Sequence, residues 1–131
     1  MKAFKIVRGI IVSAILLHTV SCAGLQARQA RSEFDTGLSL FNSGRYADAV
    51  SHFEKAIEFD PEFGKGYLYL GRSYLNLGRW REAVPPLRTA FRLAPDETKR
   101  EIADIVLDIF LRHGRAMDEE SQSEIRDLLR Q

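Results

Sequence analysis

The sequence predicts an all-α protein of stacked helix pairs. Three observations carry that expectation: an internal repeat of period 34, glycine and proline at matching points of each copy, and apolar residues at helical spacing in the C-terminal third. A chain of 131 residues has room for one such domain. With 45% hydrophobic and 28% charged residues, its composition is that of a globular protein, able to bury enough apolar surface to offset chain entropy.

Sliding the chain against itself by 34 positions superposes Gly37 on Gly71, Asn42 on Asn76, Gly44 on Gly78 and Arg45 on Arg79. Further along, Ala49 meets Ala83, Val50 meets Val84, Ala56 meets Ala90, and Pro61 meets Pro95. Within each copy, Gly44-Arg45 and Gly78-Arg79 mark the end of a first helix, because glycine takes the left-handed conformation of a helix terminus without a Cβ clash. Pro61 and Pro95 mark the break before the next pair. Gly37 and Gly71 fall inside the first helices, where glycine costs about 1 kcal/mol against alanine. Close approach of a neighbouring helix is the expected compensation, with Ala49, Ala56, Ala83 and Ala90 allowing it from the other side. Pro85-Pro86 falls inside the second helix of the second copy, where a local kink or a delayed helix start is expected.

The second copy reads Tyr67-x2-Leu70-Gly71-x2-Tyr74, then Ala83-x3-Leu87, Ala90 and Pro95. This pattern, at this period, resembles the tetratricopeptide repeat, with Tyr67 where that family usually has Trp. The first copy is looser at its front, Glu33-x2-Thr36-Gly37-x2-Leu40, and regular in Ala49-x3-Phe53-x2-Ala56. The repeats are taken as residues 30–63 and 64–97. The resemblance implies a right-handed α-solenoid fragment whose first helices line a concave, protein-binding face. In the first copy the face positions are Phe34, Leu38, Phe41 and Asn42; in the second they are Leu68, Arg72, Leu75 and Asn76. They are mainly apolar, with two asparagines suited to a peptide backbone and one arginine suited to a carboxylate. The expected ligand is an apolar-anchored segment laid in a groove; packing of the same residues on the chain's own flanking helices is the open alternative.

Two repeats fall short of the about three units that helix-pair arrays need. Residues 98–131 are expected to supply the rest. Ile102, Ile105, Val106, Ile109 and Phe110 give a capping helix over about 97–112, with Ala103, Leu107 and Leu111 widening its stripe. After His113-Gly114, Ser121-x2-Glu124 reads as a capping box opening a short terminal helix with Ile125, Leu128 and Leu129 on one face. That helix either folds back on the cap or docks on a partner.

The front of the chain reads as an address. Lys2, Lys5 and Arg8 precede the apolar run Gly9–Leu17 and then small residues, the layout of a signal peptide over residues 1–21. The apolar stretch is short for a span of about 20 residues. Thr19-Val20-Ser21-Cys22 resembles the lipobox of bacterial lipoproteins, with Thr19 where Leu is usual, and Cys22 is the chain's one cysteine. The resemblance implies cleavage before Cys22, acylation of its thiol, and anchorage in a bacterial envelope membrane. Ala23 in place of Asp favours the outer membrane, facing the periplasm. Residues 22–32 then form a tether; at about 3.3–3.6 Å per extended residue it would reach on the order of 30 Å. Cleavage after Ala23, giving a soluble periplasmic protein, and a buried cysteine without a role both stay open.

Without residues 1–21, 16 basic face 18 acidic side chains, which gives no case for nucleic acid. His18, His52 and His113 lie far apart and no Cys-x2-Cys or His-x3-His spacing occurs, so no metal or cofactor is expected. Gly64-Lys65-Gly66 reads as a turn at a helix entrance rather than a phosphate loop. Glu54, Glu58 and Asp60 read as solvated surface, His52 as a surface or partly buried neighbour of Phe53. The function expected is a membrane-tethered, non-catalytic adaptor serving assembly of an envelope complex: pilus, secretion or outer-membrane machinery. The alternative is a structural lipoprotein that self-associates, as a homodimer, through Phe34, Phe41 or the terminal helix.

Overall fold

The computed structural model describes residues 24–130, except for the side chains of residues 96–98 and 101. Among the described residues there are six α-helices and no strand. Helix α1 occupies 24–42. It is followed by α2 (Tyr46–Phe59), α3 (Gly64–Asn76), α4 (Trp80–Leu93) and α5 (Asp96–His113), then a 3-10 turn (Gly114–Ala116) and α6 (Glu119–Leu129). None of the described helices is long and apolar enough to cross a membrane.

The two repeats fold as pairs α1–α2 and α3–α4, closed by the same turn. Gly44 and Gly78 take φ of 77° and 70°. Arg45 N–H donates to Leu40 O and Gly44 N–H to Phe41 O; Arg79 N–H to Tyr74 O and Gly78 N–H to Leu75 O repeat the arrangement 34 residues on. These crossed bonds occupy carbonyls that a helix end would otherwise leave bare. Inside the pairs, a Cβ on Gly37 would stand 2.8 Å from the Phe53 ring, and one on Gly71 would stand 2.6 Å from Leu87 Cγ. The expected close approach is therefore to the repeat's own second helix. Ala49, Ala56 and Ala83 are fully buried there, and Ala90 very nearly so.

Two cores result. Phe34, Ala49, Val50, Phe53, Ala56 and Leu70 form the first. Leu75, Ala83, Val84, Leu87, Ile102, Val106, Met117, Ile125 and Leu128 form the second. Tyr74 packs against both. Its hydroxyl donates to Glu54 Oε1 across to α2 (2.9 Å) and the Arg79 guanidinium lies 4.8 Å from its ring centroid. Burial and the Glu54 carboxylate hold the Tyr74 phenol above its ordinary pKa.

The C-terminal third packs as a third pair, α5 with α6, seated on α4. Ser121, Ile125 and Leu128 are buried at the 4-then-3 spacing of Ala49, Phe53, Ala56 and of Ala83, Leu87, Ala90. The step from Ala83 to Ser121 is 38 residues rather than 34, because α5 runs to His113, past the point equivalent to the end of α3, and a 3-10 turn lengthens the link to α6. Ion pairs Arg81–Asp118 (3.3 Å) and Arg88–Glu124 (3.4 Å) join α4 to the last pair.

Several expectations are corrected. Residues 24–32, expected as an extended tether, are helical: Leu25 to Ala30 are mostly good helix formers, and Ala30 is buried. Rise there is about 1.5 Å per residue, less than half the extended value. Residues 1–21 and Cys22 lie outside the described residues. Helix α4 starts at Trp80 undelayed and runs through Pro85 and Pro86. The carbonyls these prolines leave without amide donors belong to Arg81 and Glu82, both exposed residues in the first turn of the helix. Gly64-Lys65-Gly66 is the first turn of α3, and a Cβ on Gly66 would stand 2.8 Å from Ile57. The cap of α6 is Asp118, three residues ahead of the expected Ser121, and Ser121 is instead the residue whose N–H it accepts (3.0 Å). Leu107 and Leu111 are 42% and 74% exposed, so the buried stripe of α5 is narrower than its apolar sequence.

Candidate functional site

The first helices of the three pairs, α1, α3 and α5, share a face with two adjoining clefts. One, of about 840 Å³, lies among α1, α3 and the α4–α5 junction; Leu38, Leu68, Tyr69, Leu93 and Ile102 give it an apolar lining, rimmed by Arg31, Lys65, Arg72 and Asp35. The other, of about 720 Å³, lies between α3 and α5, where Arg72, Asn76, Arg100, Asp104, Ile105 and Asp108 are among its walls. Arg72 is common to both.

The residues expected on the groove divide by burial. Leu38, Leu68 and Arg72 are half-buried and line the clefts, Phe41 is half-buried beside them, and Asn42 and Asn76 are exposed. Asn76 spends its amide on Arg72 O (2.8 Å), which leaves less of it for a peptide backbone. Phe34 and Leu75 are core residues, 8% and 5% exposed. Phe34 is taken up by the rings of Phe53, Phe63 and Tyr69, with centroids 5.0–5.6 Å away. Helical spacing cannot separate these cases, because the side of a first helix facing the next repeat and the side facing the groove are less than half a turn apart. Phe41 packs edge-on against Tyr46 and Tyr69, under Arg72. Of the surfaces expected for self-association, Phe34 is buried, Phe41 is half-buried, and α6 is docked on α4 and α5.

Arg31, Lys65, Tyr69, Arg100 and Arg112 belong to the face and were absent from the expected set. Arg31 and Lys65 stand 34 residues apart, so a basic residue recurring at the repeat interval was a signal available in the sequence. Arg100, Asp104, Asp108 and Arg112 follow at steps of four, one line along α5. Arg112 is held by Asp108 (2.9 Å). Away from the face, His52 Nδ1 meets Glu33 Oε2 at 2.7 Å, tying α1 to α2. Glu54 is occupied by Tyr74. Among the described residues no group of His, Cys, Asp and Glu is placed to hold a metal ion.

The chain is similar in sequence to known proteins. DnaJ homolog subfamily C member 3 of Gallus gallus is 32% identical over 72 residues, 55% of this chain but 14% of that protein. The chain thus spans only a small part of its relative's length. The family model described as regulator of microtubule dynamics protein 1-3 matches residues 38–131, from the last part of α1 through α6, and so takes in the third helix pair, the second repeat and most of the first. On that match, the chain belongs to the regulator of microtubule dynamics protein 1-3 family.

Proposed function

We propose that this chain is a non-catalytic protein-interaction module that receives a partner segment on the face of α1, α3 and α5. The observation that carries this reading is the pair of clefts meeting at Arg72, apolar on one side and charged on the other, on a scaffold whose core residues are otherwise consumed in packing. Peptide grooves of this kind combine apolar anchors with a few placed polar groups. The family is described by regulation of microtubule dynamics, and binding another protein is the part of such a role that this face can perform.

Membrane attachment through an acylated Cys22, and service to an envelope assembly machine, form the finer reading; its support is the basic start, apolar run and lipobox-like Thr19-Val20-Ser21-Cys22. On that reading Cys22→Ala moves the protein from the membrane to the soluble fraction, and a variant that stays with the membrane sinks it.

Affinity capture with the full-length chain, followed by mass spectrometry, tests the binding face. Captured partners are lost with Leu38→Asp combined with Arg72→Glu and kept with Asp127→Ala on the exposed side of α6, provided circular dichroism shows each variant helical. Partners retained by the double variant would place binding elsewhere.

A further inference from the structure

We propose that the outer side of α5 joins two copies of this chain in an antiparallel, two-fold pair built on Leu107 and Leu111. This goes beyond the binding face described above and does not rest on it.

Four large apolar side chains stay exposed among the described residues: Leu25, Leu77, Leu107 and Leu111. The last two stand one turn apart on α5, 42% and 74% exposed. An apolar stripe left open on a folded surface marks a contact site. Its place in the stack shows what kind of contact. Phe34 and Phe41 of α1 each meet the Tyr69 ring of α3 at 5.4 Å, and Leu75 of α3 shares a core with Ile102 and Val106 of α5. Each first helix thus covers an apolar side of the one before it. On α5, Leu107 and Leu111 lie about 140° and 180° around the helix from Ile102, on the side turned away from α3. A further helix laid there continues the stacking.

The residues around the stripe fit a second α5. Ala103, Leu107, Leu111 and Gly114 form one line, and Asp104, Asp108, Arg112 and Arg115 form the line beside it, both at steps of four, four and three. In the charged line the acids come before the midpoint of Leu107 and Leu111, and the bases come after it. Two helices packed face to face set these charged flanks side by side only when they run antiparallel about a two-fold axis. With that axis between Leu107 and Leu111, acids of one copy stand level with bases of the other. Leu107 then meets Leu111 of the second copy, Asp104 meets Arg115, and Ala103 meets Gly114, whose small size lets the helices approach closely. Every contact occurs twice. Arg112 is held by Asp108 of its own chain at 2.9 Å, so Asp104 and Arg115, both exposed, are the charges set to pair across the axis. Arg100 lies a turn outside this set, at the end of the contact. Asp104, Asp108 and Arg112 also wall the smaller cleft, so the pairing brings the clefts of two copies next to one another.

Sedimentation equilibrium on the full-length chain at low salt, where exposed ion pairs are least screened, reads the association. A dimer is expected. Leu111→Asp, which acts twice in a two-fold pair, weakens it about thirtyfold or more and leaves the urea midpoint unchanged, because this side chain is exposed in the single chain. Asp104→Arg and Arg115→Asp each weaken it about tenfold, and the two combined in one chain, which exchanges the charges, restore it to within about threefold. Within one chain these residues stand roughly 16 Å apart along the helix, so that restoration is a signature of pairing between copies. A wild-type chain that stays monomeric at about 100 μM overturns the proposal and leaves the stripe to a different protein. A dimer unmoved by Leu111→Asp places association elsewhere and overturns it as well. A dimer lost on Leu111→Asp but not restored by the charge exchange rules out the antiparallel pairing, and the proposal with it.

Discussion

Glycine at 71 is a packing residue, and two opposing effects decide what alanine does there. Alanine gains about 1 kcal/mol of helix propensity, but its Cβ would meet Leu87 Cγ at 2.6 Å and Ala83 O at 3.3 Å. Leu87 is 1% exposed and has nowhere to go. Overpacking therefore wins: Gly71→Ala is expected to destabilise by about 1–3 kcal/mol in urea unfolding. At Asp118 the effect is electrostatic. The Ser121 N–H, the Ser121 hydroxyl and Arg81 hold its carboxyl at about 2, below the ordinary value, against the opposing effect of burial. A depressed carboxyl stabilises the fold above its unfolded pKa of about 3.9 and loses that contribution as pH falls through the folded value. The difference in Tm between wild type and Asp118→Asn, which still caps but carries no charge, should be constant above about pH 5 and vanish between about pH 4 and 2.

Among the elements, α6 tests whether the third pair is integral. Ile125 is 1% exposed within the second core, so Ile125→Ala should cost about 2–5 kcal/mol, read by the midpoint of denaturant unfolding. A loss near zero would mean that α6 is only an appendage. Legibility in the sequence also divides by element. The first four helices were readable because glycine turns and alanine contacts recur at 34, each fixed by a steric need that other residues meet poorly. In the third pair the small contact residue is Ser121, the large one Ile125, and the later end of α5 with the longer link after it displaces both by four residues. The fold survives that change because burial needs matching volumes at matching spacing, whereas a fixed-offset search needs identity. The first-helix residues expected on the groove differ in burial: some are half-buried at the clefts, some lie in the core and some are exposed. Leu38, Leu68 and Arg72 line the clefts, but the aromatic partners that absorb Phe34 and support Arg72 come from positions 63 and 69, which no single-helix pattern reveals.

Taken whole, the described residues build two cores that meet at Tyr74. Tyr74→Ala should lower stability by about 1–3 kcal/mol and also reduce the slope of the urea transition. With this link gone, the two cores no longer unfold as one unit and the transition broadens. An unchanged slope would show that coupling runs elsewhere, through Leu70 and Leu75 on the same helix. The length of α1 bears on how the module works in place. In repeat register α3 begins at the position equivalent to 30, whereas α1 is already helical at 24 and carries Arg31, Asp35, Leu38 and Phe41 into the face. These six leading residues add about 9 Å of helix ahead of the repeat. An extended strand would act as a slack leash and pass on no torque; a helix acts as a crankshaft. A pull or twist applied at the front of α1 is carried along the helix to the Phe41 ring on which Arg72 stacks, instead of being lost in slack chain.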